Sequence, residues 1–278
     1  MKFTKMQGIG NDYVYVNCFE ETVADPERVS EIISDRHFGI GADGLVLIMP
    51  SDKADFRMRM FNADGSEGNM CGNATRCIGK FVYDNHLTDK TSITLETRSG
   101  IKKLTLYPEN SKVKTVLVDM GKAVLKPADI PMNVSGDTFI NKPITVDGKE
   151  VFITAVSMGN PHAVTYVDDV DSLELEKIGP SFENHPLFPE RVNTEFIKIL
   201  DESTMQMRVW ERGSGETWAC GTGACAATAA SVLNGYFPHD KEITVKLRGG
   251  DLFITYKSDG TVLMRGPAET VFTGEIDV

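Results

Sequence analysis

Along most of the chain apolar and β-branched positions alternate with polar ones, or run together, in stretches of five to eight residues. Such stretches predict strands at 12–17, 44–48, 56–61, 92–96 and 113–120. A second set follows at 152–156, 194–200, 205–210, 242–247 and 252–256. Two segments, 73–86 and 223–233, read instead as helices, and the second is alanine-rich and carries no charge. A helix that is apolar all round is stable only when surrounded, so each is expected at the centre of a sheet that wraps around it. A short amphipathic helix is expected on the surface at 26–35.

The two sets of strands belong to a duplication. Gly10-Asn11 returns as Gly159-Asn160, and Cys71-Gly72 as Cys220-Gly221, both 149 residues on. Between these anchors the stretch 56–62 lies over 205–211, with Met58/Met207 and Arg59/Arg208 identical, and Glu67 and Glu216 each precede their cysteine by four residues. Further on, 92–100 lies over 242–250, so one residue has been inserted. The repeat is too long for a solenoid unit. The expected fold is therefore α/β (α+β), with two pseudo-symmetric halves. Each half is a mainly antiparallel sheet around a central helix, and the active site is expected in the cleft between them. The boundary is placed near 119–122, where a proline- and turn-rich stretch begins. That gives an N-terminal half of 1–120, completed by 267–278 crossing back, and a C-terminal half of 121–266.

Composition narrows the classes of function. The chain has 29 Lys plus Arg against 40 Asp plus Glu, a net charge of −11. That balance argues against nucleic acid or an anionic membrane as the main partner. No apolar run approaches the roughly 18 residues of a membrane span, and the first residues lack the apolar core of a secretory signal. Five cysteines, an odd number, suit a reducing compartment. A cytoplasmic protein acting on a small molecule is expected.

The chemistry is expected at the two repeated cysteines. Cys71 and Cys220 each stand just before a predicted central helix, whose N-terminus offers free N–H groups and positive potential. That potential is expected to lower the thiol pKa, and the amides at Gly72-Asn73 and Gly221-Thr222 are expected to hold a carboxylate. Two thiols on opposite sides of one carbon could remove a proton from one face and return one to the other. An inversion of this kind needs an acid and a base of the same chemical type, because their roles exchange with direction. Cys18, Cys77 and Cys225 lack a matched setting and read as structural, and the cysteine spacings do not suit zinc. Asn11 pairs with Asn160, Asn62 with Glu211, and Gly44 with Asn193 across the repeat. Amide side chains suit the ammonium and carboxylate of an amino acid. Arg212, present in one half only, could grip a second carboxylate, so the substrate is expected to be longer on one side. His162 stands where the first half has Tyr13, and could bond a cysteine or Glu211 and so bias the thiols. Gly39-Ile-Gly41-Ala-Asp-Gly44 fits a dinucleotide fingerprint in letters only, because a strand follows it where a helix is required.

The segments 62–76 and 211–223, with Gly10-Asn11-Asp12 and Gly159-Asn160-Pro161-His162, resemble the signatures of the diaminopimelate epimerases, over essentially the whole length. The resemblance implies a pyridoxal-independent, two-base interconversion of LL- and meso-2,6-diaminopimelate, with no cofactor and usually as a homodimer. Carried over by position, it implies that Cys71 and Cys220 are the acid/base pair. Asn11, Asn62, Asn160, Asn193, Glu211 and Arg212 would hold the substrate, chiefly its distal end. Gly72, Asn73, Gly221 and Thr222 would hold the reacting carboxylate, and His162 and Glu211 would tune the thiols. The chain departs from the pattern at Gly44, where many members have Gln. The nearest alternative is a proline or hydroxyproline racemase-like enzyme of the same fold, which would have His in place of Asn73. A thiol redox enzyme and a non-catalytic amino-acid binding module are the rivals of other classes.

Overall fold

The computed structural model describes residues 1–278. The chain forms two compact units, Met1–Asp119 with Arg265–Val278, and Met120–Met264. The mixed α/β class expected from the sequence is what the structure has.

The first unit runs β1 (Lys2–Gly8), β2 (Asn11–Asn17), α1 (Pro26–Ser34), β3 (Gly44–Met49), β4 (Phe56–Asn62), β5 (Glu67–Gly68), α2 (Gly72–Asp84), β6 (Ser92–Thr97), β7 (Gly100–Glu109) and β8 (Lys112–Lys122). The chain continues through β9 (Lys142–Val146), β10 (Lys149–Ser157), β11 (Pro161–Tyr166), α3 (Leu175–Glu183), β12 (Asn193–Ile199), β13 (Thr204–Glu211), β14 (Gly215–Thr217), α4 (Gly221–Leu233), β15 (Glu242–Leu247), β16 (Gly250–Tyr256), β17 (Thr261–Pro267) and β18 (Glu269–Glu275). In the first unit β18–β1–β2 is antiparallel, β2–β3 parallel, β3–β4–β5 antiparallel, β4–β6 parallel and β6–β7–β8 antiparallel. In the second, β9–β10–β11, β12–β13–β14 and β15–β16 are antiparallel, while β11–β12 and β13–β15 are parallel. The order of joints is the same in both.

The central helices behave as their composition dictates. Almost all of α4 is buried, against β10, β11, β12, β15 and β16. Helix α2 is just as buried although it carries Arg76 and Lys80, because both charges reach internal acceptors. Arg76 Nε donates to Pro267 O at 3.1 Å. Lys80 Nζ reaches Asp84 Oδ2 and Val113 O, each at 2.8 Å. The outer helices obey the same 149-residue offset, Pro26–Ser34 against Leu175–Glu183.

The sequence pattern missed α3, where Gly179-Pro180 reads as a break. Gly179 is there because Trp210 packs on it: a Cβ would lie 2.2 Å from the indole. The Trp210 Nε1–H donates to Glu183 at 2.7 Å on the same helix. The pattern also missed β1, β5, β7, β9, β11, β14, β17 and β18. Several of these are edge or hairpin strands whose charged residues mask the alternation; β18 is exposed along almost its whole length.

Candidate active site

In the first unit β5 feeds directly into α2, and Cys71 is the N-cap residue, in extended backbone (φ −127°, ψ 123°). Its half-buried thiol donates to Asn11 Oδ1 at 3.4 Å. The other end of the Asn11 amide is fixed, since Nδ2 donates to Asp43 Oδ2 at 2.8 Å. Asp43 also accepts from Asp12 N–H and from Arg36, which in turn grips Asp12. Burial pushes the Asp43 carboxyl up, and the like charge of Asp12 adds to this. Asn73 is buried in the first turn of α2. Asn62 is exposed and bonds Ser66 Oγ at 2.9 Å. Gly44 opens β3 opposite Asn62. A Cβ there would lie 1.9 Å from Phe61 O, so no side chain fits this backbone.

In the second unit Cys220 is the N-cap of α4, again extended (φ −119°, ψ 104°). Here the sulfur is buried. It accepts from Gly223 N–H at 3.4 Å and lies 3.6 Å from Thr222 Oγ1. A hydrogen bond joins it to the Glu211 carboxylate, which also takes the Thr217 hydroxyl. Asn160 Nδ2 donates to Thr222 Oγ1 at 3.3 Å. Asn193, buried at the start of β12, accepts from Arg212 N–H at 2.9 Å. The Arg212 guanidinium donates one bond to Glu190 O at 2.9 Å.

Two expectations need correction. The thiol of Cys220 is not acidified: its pKa is raised well above the ordinary value. Burial is the largest cause, followed by the charges of Glu211 and Glu195, and together they outweigh the bonds from Thr222 and Gly223. His162, in turn, bonds neither Cys220 nor Glu211. Its Nδ1 is 2.7 Å from Glu195 Oε1 and its Nε2 is 3.0 Å from Asn160 Oδ1.

Within the first unit Asn11 and Cys71 are in direct contact; within the second, Asn160, Thr222, Cys220 and Glu211 form one cluster. Reading from the sequence missed Glu195, Asp43, Thr217 and Gly223. Glu195 had a signal: it is the only carboxylate of its strand and stands at the repeat position of the apolar Val46. Burial pushes the Cys77 thiol up to about 11, which suits an inert core position.

A family model described as diaminopimelate epimerase matches residues 3–126 and 154–271. A diaminopimelate epimerase of Acetivibrio thermocellus is 59% identical over 279 residues, covering 100% of this chain and 99% of that one. One from Agathobacter rectalis is 59% identical over 286 residues, covering 100% of both. Among solved structures, a hydroxyproline epimerase from Agrobacterium vitis aligns with a TM-score of 0.71 at 12% identity, covering 99% of this chain and 90% of that one. A phenazine biosynthesis protein of Bacillus anthracis aligns with a TM-score of 0.71 at 18% identity, covering 100% and 99%. At those identities the solved structures share the fold alone, whereas the sequence relatives match throughout. The chain belongs to the diaminopimelate epimerase family.

Proposed function

We propose that this chain interconverts LL- and meso-2,6-diaminopimelate, a step of lysine and peptidoglycan-precursor biosynthesis, with Cys71 and Cys220 as its two bases. The observation that carries the mechanism is the matched setting of the thiols. Each is the N-cap of a buried helix and each has a repeat-related asparagine in its hydrogen-bond network. The reacting carboxylate is held by the first-turn amides at Gly72-Asn73 and Gly221-Thr222, which have no carbonyl behind them in the helix. Neutralising that carboxylate makes the adjacent C–H more acidic.

The raised pKa of Cys220 suits it to hold its proton in the resting enzyme. In one direction one sulfur, as thiolate, takes the α-proton while the other, as thiol, delivers a proton to the opposite face; Glu211 stands beside Cys220. The reverse reaction exchanges the two roles. Asn11, Asn62, Asn160, Asn193, Glu211 and Arg212 hold the distal amino-acid end. Arg212 supplies the bidentate grip on the second carboxylate, since only one of its donors is spent on Glu190 O. His162 and Glu211 tune the thiols. An odd number of cysteines, five, fits a reducing cytoplasm. The enzyme is a homodimer in this reading, and the exposed Val271 and Phe272 on strand β18 offer an apolar edge for it.

The test is a chirality-resolved assay in deuterated water with diaminopimelate, proline and lysine. Turnover is expected for diaminopimelate alone, with deuterium entering only at the inverted carbon. Inversion of proline, or exchange at both stereocentres, would overturn the assignment.

A further inference from the structure

Strand β12 carries a carboxylate at the position where β3 carries Val46. Glu195 and His162 are both fully buried and meet at 2.7 Å. From there contacts run in one direction. His162 Nε2 meets Asn160 Oδ1 at 3.0 Å, Asn160 Nδ2 donates to Thr222 Oγ1 at 3.3 Å, and that hydroxyl lies 3.6 Å from Cys220 Sγ. The two ring nitrogens therefore face a carboxylate oxygen and an amide oxygen, both acceptors. Both ring nitrogens therefore have a polar partner, and the ring is held at two points. Such a ring is fixed in tilt and in rotation, and it fixes which end of the Asn160 amide meets Thr222.

The arrangement is costly to the fold. Glu195 Oε2 is buried without a hydrogen-bond donor. Space has also been cleared for the carboxylate, because a Cβ at Gly223 would lie 2.6 Å from Glu195 Oε1 and 3.1 Å from Cys220 Sγ. One missing methyl group thus lets the carboxylate and the sulfur both sit against the first turn of α4. Unsatisfied buried groups of this kind are retained where they serve a site.

We propose that Glu195 is a positioning residue for the epimerisation, acting through His162 and Asn160 to hold Thr222 and the Cys220 sulfur in one attitude at the N-terminus of α4. This rests on the reading of Cys220 as one of the two bases. Glu195 itself touches no reacting atom.

The experiment uses the full chain with Glu195→Gln, Glu195→Met, His162→Gln and the double variant His162→Gln/Glu195→Met. Turnover of diaminopimelate is followed in both directions, and the His162 ring nitrogens are followed by 15N resonance. Glu195→Met is expected to cut kcat by about 30-fold or more while KM moves less than about threefold, as when the partner orienting a catalytic histidine is lost. Glu195→Gln keeps an oxygen in place and is expected to retain more of kcat than Glu195→Met. In the His162→Gln background, Glu195→Met is expected to cost less than about threefold further, since its effect passes through the ring.

Additive losses in the double variant would overturn the proposal. So would a Glu195→Met enzyme that merely melts earlier while its folded fraction turns over normally. The resonances keep the two readings apart. The wild-type His162 is expected to show both nitrogens hydrogen-bonded, and Glu195→Met to lose that signature at Nδ1. A chain that fails to turn over diaminopimelate yet keeps this signature refutes the epimerase reading and leaves the Glu195–His162 arrangement standing. A wild-type ring whose nitrogens are not hydrogen-bonded refutes the arrangement itself.

Discussion

The N-termini of α2 and α4 are two copies of one device that have diverged chemically. Each puts a cysteine in extended backbone at the cap of a buried helix. Around Cys71 the neighbour is an amide, Asn11, anchored on a partly exposed cluster of Asp43, Asp12 and Arg36. Around Cys220 the sulfur is fully enclosed and two carboxylates, Glu211 and Glu195, lie close enough to raise its pKa. Four substitutions across the repeat account for this: Asn62 against Glu211, Tyr13 against His162, Val46 against Glu195, and Ala74 against Gly223. Duplication therefore supplies a matched pair of thiols, and a few side chains give the two sulfurs different surroundings.

The sharpest way to break the comparison is to remove one thiol at a time. Cys71→Ala and Cys220→Ala are each expected to lower kcat by about 10³-fold or more with circular dichroism unchanged. A variant within tenfold of wild type would show that the two caps are not of equal rank. Next comes the exchange of Ala74 and Gly223. Gly223→Ala drives a methyl into Glu195 and Cys220, and is expected to lower kcat about tenfold and to reduce the melting temperature. Ala74→Gly faces no such crowding and is expected to cost only helix stability, about 1 kcal/mol, read by denaturant titration. Equal losses from the two variants would remove the reason for a glycine in α4.

Glu211→Gln sharpens the electrostatic side. Burial is the first cause of the raised Cys220 pKa and the charge of Glu211 the second. Removing that charge lets the thiol ionise more readily, so the basic limb of kcat/KM is expected to move to lower pH. A shift to higher pH would contradict the account.

The smallest effect is in stability. In the first unit the N–H of Thr94 is taken by the Asp55 side chain at 2.8 Å, and in the second the equivalent Thr244 N–H is taken by the Ser203 carbonyl at 2.8 Å. Lys90, at 2.6 Å, and then Thr94 hold the Asp55 carboxyl at about 2, below its ordinary 3.8. Its contribution is present above pH 3.8 and is lost as pH falls towards 2. Asp55→Asn is therefore expected to flatten the acid side of the melting curve between about pH 4 and 2, and to move the melting temperature at pH 7 by no more than about 2 °C. An unchanged acid slope would show that the carbonyl and carboxylate versions of this contact are equivalent.

The parts of the site that were legible in the sequence are those the duplication marks twice. Cys71 with Cys220 and Asn11 with Asn160 share one offset, the cysteines in glycine-rich turns before helices and the asparagines in glycine-containing turns before strands. What was not legible lies where the halves differ and where the consequence depends on distant chain. Glu195 reads as one polar residue among several in strand β12. Only the parallel pairing of β11 with β12, which sets His162 opposite Asn193, brings it to His162. The partners of His162 and the direction of the Cys220 shift went unread for the same reason. A helix N-terminus argues for an acidic thiol, but the depth of burial that overrides it is a property of packing. Helix α3 was hidden by Gly179-Pro180, a break in local terms that serves the seat of Trp210.

By itself the amino-acid sequence determined the class of fold, the internal repeat, the two central helices and the cysteine at the head of each. All of these follow from periodicity and spacing, which act along the chain. The tertiary structure alone decided what surrounds each sulfur, because desolvation and charge act through space and are set by side chains that may stand 25 residues away, as Glu195 does from Cys220.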